Sequence, residues 1–255
     1  MNICVDVGNT TITFGGYVDD KCVERKIINL EARKTEDEFY QYLSNFLSFA
    51  KPPVTVDNIM YSSVVPEVNA ALKGALARLF KVKIQTIDLK NTKVGFTFET
   101  DNPSETGDDL VADLVGGFYK YGYPLLIVDL GTASKLLYLN ENGGFASANI
   151  LPGLELCAKS LSNNTSLLPN IELRPVETII AKNTIDCINS GIVLGHIEMI
   201  EGCIRRYKKE TNNEDLKVVF TGGHTFLLNN LINPNYIINA NLTLDGLNKM
   251  IEINK

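Results

Sequence analysis

The stretches "CVDVGNTTITF" at residues 4–14 and "IVDLGTASKLL" at 127–137 share one pattern: two apolar residues, Asp, an apolar residue, Gly, then polar and small residues leading into a second strand. The segments after them repeat as well. "YVDDKCVERKII" and "YLNENGGFASANI" each read as a turn and a third strand, so each half of the chain opens on a three-stranded antiparallel meander. One Asp-x-Gly hairpin is commonplace. Two, each opening a meander and separated by about half the chain, predict a duplicated two-domain α/β fold with domains 1–115 and 116–255.

Between the two meanders the pattern alternates helix and strand. Thr35 with Glu38 three residues on predicts a capping box, and Phe39, Leu43, Phe46, Leu47 and Ala50 recur at helical spacing until Pro52-Pro53. A strand at "NIMYSS", a helix opened by Pro66 and a strand at "KIQTIDL" come next. The helix at 190–207 and "DLVADLVGGFYKY" each carry enough apolar surface to bury a face, in the core or against a second subunit.

At 255 residues, roughly 70 to 75% of the unfolded surface can be buried, so no disulfide or metal staple is needed. The five cysteines are odd in number and contain no C-x-x-C pair, as expected of reduced thiols. A net charge of −6 with scattered Lys and Arg argues against a nucleic-acid face. With no basic segment leading an apolar run and no run approaching bilayer-spanning length, the expectation is a soluble cytoplasmic protein with no membrane partner.

An Asp at the end of a buried strand is costly unless its charge is compensated, and a Gly after it lets the backbone turn and expose amides. That pairing suits phosphate and a metal. Asp6 is placed to orient magnesium, with Gly8, Asn9, Thr10 and Thr11 offering donors to phosphate oxygens; Asp129, Gly131 and Thr132 repeat the arrangement. The rival reading is an ordinary Asx-turn hairpin, strong for either copy alone and weak for both. A third glycine turn, Thr221-Gly222-Gly223 ending "KVVFTGG", lets a backbone approach a flat ligand closely. In "ETGDDLVAD" (105–113), Asp108, Asp109 and Asp113 decorate a helix start, where acidic groups meet the positive end of the dipole. His196 reads as a packed histidine and His224 as an exposed turn residue.

Two Asp-Gly hairpins and a late glycine turn resemble the acetate and sugar kinase, actin and heat-shock chaperone superfamily. The ordered set "DVGNTTITF", "SSVVPEV", "DNPSETGDDL", "VDLGTASK", "ILPGLELCAKSL", "TSLLP", "NTIDCINSG", "TGGH" and "NLTLDGL" resembles type III pantothenate kinase, which includes the Bvg accessory factor relatives, over nearly the whole chain. The resemblance implies a duplicated actin-like (ribonuclease H-like) fold with ATP in the interdomain cleft. It further implies phosphorylation of pantothenate to 4'-phosphopantothenate, the first step to coenzyme A, by a homodimer using ATP, Mg2+ and a monovalent cation, K+ or NH4+. Carried over by position, Asp6, Val7, Gly8, Asn9, Thr10, Thr11, Ile12 and Thr13 form the phosphate loop. Asp129 is a cation ligand, Gly131 and Thr132 contact ATP, and Gly222 and Gly223 face adenosine. Thr100, Gly107, Asp108, Asp109, Leu110 and Thr184 bind pantothenate, and Asp109 is the catalytic base.

Two positions depart from the family pattern: its Arg after the catalytic Asp is Leu110, and its usual Tyr before "DNP" is Thr100. Both lie on the acceptor side. Losing one partner of a buried charge-assisted pair costs about 2 to 5 kcal/mol, a factor of roughly 30 to a few thousand. Either another cation, such as Lys93 or a residue of a second subunit, replaces the Arg, or the chain has become a nucleotide-binding regulatory protein or a kinase for another small hydroxyl compound.

Overall fold

The computed structural model describes residues 1–30, 34–47 and 54–255. Its chain divides into two compact units, Met1–Tyr121 with Asn241–Lys255, and Gly122–Ala240. In the first, β1 (Asn2–Val7), β2 (Thr11–Val18) and β3 (Lys21–Asn29) form the expected antiparallel meander. The strand β4 (Asn58–Ser63) then pairs parallel with β1, and β5 (Ile84–Thr86) with β4, giving the order β3-β2-β1-β4-β5. Later in the chain comes the two-residue strand β6 (Thr97–Phe98). In the second unit β7 (Leu125–Leu130), β8 (Ala133–Leu139) and β9 (Gly144–Pro152) form the other meander. There β10 (Lys217–Thr221) pairs parallel with β7, and β11 (Ile237–Ile238) with β10. The order β9-β8-β7-β10-β11 repeats the first sheet strand for strand.

Alternation explains the cores. Ile3, Val5 and Val7 on β1 point to one face with Ile12 and Phe14 of β2, where α1 (Glu36–Phe46) and α2 (Pro66–Phe80) bury Phe39, Leu43, Leu72 and Leu76 against them. The capping box closes α1: Glu38 N–H donates to Thr35 Oγ1, and Thr35 N–H to Glu38 Oε2 at 2.7 Å. Ala50 and Pro52-Pro53, expected to end that helix, lie outside the described residues. The strand expected over "KIQTIDL" stops at Thr86, because Asp88 turns the chain by accepting from Lys90 N–H and Asn91 Nδ2.

In the second unit, Leu126, Val128 and Leu130 pack with Phe220 against Val193, Ile197, Ile200 and Ile204 of α5 (Thr184–Glu210) and Leu154 of α4 (Leu154–Asn164). By length and composition α5 could cross a membrane, which differs from the expectation that no apolar run approaches that length; half of its most apolar window is buried within this protein. Its apolar face is a core face. The short α6 (Thr225–Leu228) follows β10.

The expected boundary near residue 115 falls inside α3 (Asp108–Tyr121), and the last helix, α7 (Leu242–Ile253), returns to the first unit rather than extending the second. The cause is packing. Residues Val111 to Gly117 of α3 are buried, and α7 crosses that helix so closely that a Cβ at Gly246 would meet the Ala112 carbonyl oxygen at 1.8 Å. Polar contacts fix the docking: Thr243 Oγ1 donates to Asp113, Tyr17 Oη and Lys120 Nζ to Asp245, and Asn2 Nδ2 to Asn248. Asp113, expected to decorate the helix start with Asp108 and Asp109, is 1% exposed and belongs to this helix pair.

Candidate active site

In the first unit, Gly8 N–H donates to Thr11 O at 2.9 Å and closes the loop between β1 and β2. Asn9 and Thr10 are exposed there, and Thr11 and Thr13 are half-buried. The side chains of Val7 and Ile12 are wholly in the core, which narrows their expected role to main-chain groups. Parallel pairing sets Asp6 opposite Ser62, whose Oγ donates to Asp6 Oδ1 at 3.1 Å.

One residue further, the Ser63 N–H donates to the Asp108 carboxylate at the start of α3. Burial pushes the Asp108 carboxyl up from its ordinary value and Asp109 adds to that, while the Ser63 amide and the Lys73 ammonium pull it down. Asp109 turns onto the helix start instead, its Oδ1 accepting from Leu110 N–H at 2.9 Å. The two carboxylates therefore point apart, as consecutive helical residues must. Gly107 and Leu110 are half-buried beside them. Among the described residues, Thr100 Oγ1 is the one buried side-chain oxygen with no hydrogen-bond partner. Such an orphan costs about 1 to 3 kcal/mol until something bonds to it, so it fits a ligand contact.

Of the cations, Lys73 on α2 acts on Asp108 and also lies over the Tyr61 ring, 5.5 Å from its centroid. Lys93, the replacement expected for the missing Arg, is exposed, and its main chain is tied to Asn254 at the end of α7. No pattern in the sequence singles out Ser62, Ser63 or Lys73, although "SSVVPEV" carries the serines.

The second unit gathers Asp129, Gly131, Thr132, Gly222 and Gly223 at the ends of β7 and β10. Gly222, at φ +95°, has no room for a side chain: a Cβ would meet Asp129 Oδ1 and Leu130 N at 2.5 Å. Thr132 and Gly223 are exposed. Asp129 is 8% exposed, and Lys135 Nζ stands 2.8 Å from its Oδ2. One oxygen of this carboxylate, expected to hold a monovalent cation, is therefore held by an ammonium of the chain itself. His224 is not the exposed turn residue expected: its Nδ1 meets Gly131 O at 3.1 Å and its Nε2 meets Glu155 Oε1 at 3.3 Å. Thr184 stands apart, exposed at the first turn of α5, where it lines an open pocket of about 750 Å³ with Leu161, Lys182 and Cys187.

His196 is a packed histidine, 3% exposed and 2.8 Å from Ser134 Oγ. Burial lowers it to about 4, with His224 adding to the effect. A folded-state value below the unfolded one means its contribution is complete above pH 6.5 and is lost as pH falls toward 4, by roughly 2 to 3 kcal/mol. Urea unfolding of wild type and His196→Gln at pH 7 and 4.5 checks this: the wild type is expected to lose more stability over that interval, and equal losses would refute it.

A family model described as type III pantothenate kinase matches residues 2–206. A solved structure from Campylobacter jejuni, assigned as a Baf family transcriptional activator, aligns at 20% identity and TM-score 0.59, covering 99% of this chain and 98% of that one. A Sinorhizobium meliloti protein assigned as a 2-dehydro-3-deoxygalactonokinase aligns at 12% identity and TM-score 0.60, covering 99% and 96%. MreB 5 of Spiroplasma citri, bound to AMPPNP, aligns at 10% identity and TM-score 0.51, covering 99% and 97%. These likenesses give the architecture as a two-domain actin-like fold. Because the family match covers most of the chain, including both Asp-Gly hairpins and the start of α3, this chain belongs to the type III pantothenate kinase family.

Proposed function

We propose that this chain transfers the γ-phosphoryl group of ATP to the primary hydroxyl of pantothenate. The observation that carries the reading is the parallel pairing of β1 with β4. It sets Asp6 beside Ser62, and Asp108 on Ser63, at the strand end that also bears the Gly8–Thr11 loop. The AMPPNP described with the MreB neighbour supports nucleotide use by this fold.

Loop amides and the Thr10, Thr11 and Thr13 hydroxyls of the first unit bind phosphate oxygens; within the second unit, Thr132 and the Gly222-Gly223 turn are the groups proposed for nucleotide contact. Asp6, half-buried and bonded to Ser62 through one oxygen, fits a magnesium ion or its water shell. Magnesium, when bound, supplies charge neutralisation at the phosphate oxygens. Asp109 takes the proton of the attacking hydroxyl at a carboxylate oxygen and orients that hydroxyl, while Thr100 Oγ1 bonds the acceptor. Leu110 offers no charge to the acceptor carboxylate, and Lys73 is the cation proposed in its place.

Release of ADP on adding pantothenate to protein and Mg-ATP tests the reading, and binding without turnover would overturn it. That result would favour the regulatory role suggested by the description of the Campylobacter neighbour. Turnover only with a different hydroxyl compound would favour another acceptor, a reading that the apolar Leu110 supports. In the same assay Lys73→Met is expected to raise KM for pantothenate about 10- to 100-fold with a smaller change in kcat, as removal of a ground-state charge contact does. An unchanged KM would remove Lys73 from the acceptor site.

A further inference from the structure

The carboxylate of Asp129 and the ammonium of Lys135 face each other across the second hairpin. The register of β7 with β8 places the two residues directly opposite, so both side chains project from the same face of the sheet. Nζ to Oδ2 is 2.8 Å, and the side chains are only 12% and 15% exposed. Asp129 Oδ1 lies against Gly222, so close that a Cβ there would approach it at 2.5 Å, and Gly131 borders both oxygens at 3.6 Å by the same measure. A buried carboxylate at a phosphate-binding hairpin needs a positive charge beside it, since its uncompensated charge would repel the phosphates. Here that charge is covalently part of the chain. A second cation drawn to the same carboxylate would meet the ammonium's like charge in a site with little water to screen it.

We propose that the Lys135 ammonium permanently takes the place of a monovalent cation at Asp129, so that this chain binds Mg-ATP without potassium or ammonium. The nucleotide part rests on the kinase reading above; the cation part stands on the ion pair alone. A Lys at this position also removes an entropic cost: a tethered ammonium does not dissociate, whereas a dissolved ion must be recruited from solution.

Two measurements at matched ionic strength test the idea, each made in potassium chloride and in tetramethylammonium chloride, whose cation is too bulky to sit against a carboxylate in this hairpin. The first is thermal unfolding without nucleotide, and the second is titration with Mg-ATP. Wild type is expected to melt at the same temperature in both salts and to bind Mg-ATP within about twofold. Lys135→Met, which leaves Asp129 uncompensated, is expected to gain a potassium response: a higher melting temperature and at least about tenfold tighter Mg-ATP binding in potassium. Lys135→Arg keeps the charge and is expected to stay insensitive to potassium. Wild type that requires potassium to bind, or melts higher in it by as much as Lys135→Met does, overturns the proposal. Failure of wild type to bind Mg-ATP in either salt refutes the nucleotide reading, and the melting curves then decide the cation question by themselves. Should Lys135→Met not fold, the wild-type comparison of the two salts still decides it.

Discussion

Replacing Asp109 by Asn is expected to lower kcat by about 10²- to 10⁴-fold while leaving Mg-ATP affinity within about twofold. The substitution keeps the shape of the side chain and removes its ability to take a proton. Asp109 is turned onto the first turn of α3 by the Leu110 amide, on a helix whose next two turns are buried, so a local change there should not disturb the Gly8–Thr11 loop. The companion Asp108→Asn separates chemistry from electrostatics. Asp108 is held by the Ser63 amide and takes no part in the proton transfer proposed for Asp109, so a loss below about tenfold is expected on neutralising it. Single-turnover ADP release beside equilibrium nucleotide titration reads both quantities. Equal activity of wild type and Asp109→Asn would end the assignment, and a larger loss at Asp108 would move the base one residue back.

The duplicated architecture was legible because its signal is local. A period-2 apolar pattern, an Asp, a Gly and a second strand occupy eleven residues, and the hairpin they encode forms within them. The same locality made the Thr35 capping box and the Pro66 helix start readable. Hairpin symmetry about Thr132 would also have put Lys135 opposite Asp129, had the residues been counted outward from the turn. The pairing of Asp6 with Ser62 was a different matter. It depends on the register of two parallel strands whose paired residues are 56 positions apart, with a helix between them, and no short-range pattern specifies that. Lys73 reaches Asp108 through the same long-range packing. The domain boundary failed for a related reason: "NLTLDGL" reads as a helix wherever it packs, and only contact with α3 decides to which unit it belongs.

That contact gives the second large effect. Gly246→Ala is expected to destabilise the protein by about 3 kcal/mol or more and to lower its melting temperature by roughly 6 to 12 °C. Helix propensity alone predicts the opposite sign, since Ala is favoured over Gly by up to about 1 kcal/mol in a helix interior. The steric term wins because the obstacle is backbone. The added Cβ would stand 1.8 Å from the Ala112 carbonyl oxygen, and the neighbouring crossing point, Gly116, leaves 2.5 Å to the Leu242 carbonyl oxygen. Neither oxygen can rotate away, so α7 must move off α3 and loosen the contacts of Asp113 with Thr243 and of Asp245 with Tyr17. Gly195→Ala supplies the control: it is exposed on α5 with nothing within 4 Å of the added carbon, so propensity acts alone and the melting temperature should rise slightly. Opposite signs in the two melting curves support the close crossing, and a Gly246→Ala protein as stable as wild type would refute it. Because α3 carries Asp109 at its first turn, movement of that helix should also lower kcat in the folded fraction of Gly246→Ala. The last helix of the chain would then help to hold the proposed base in place.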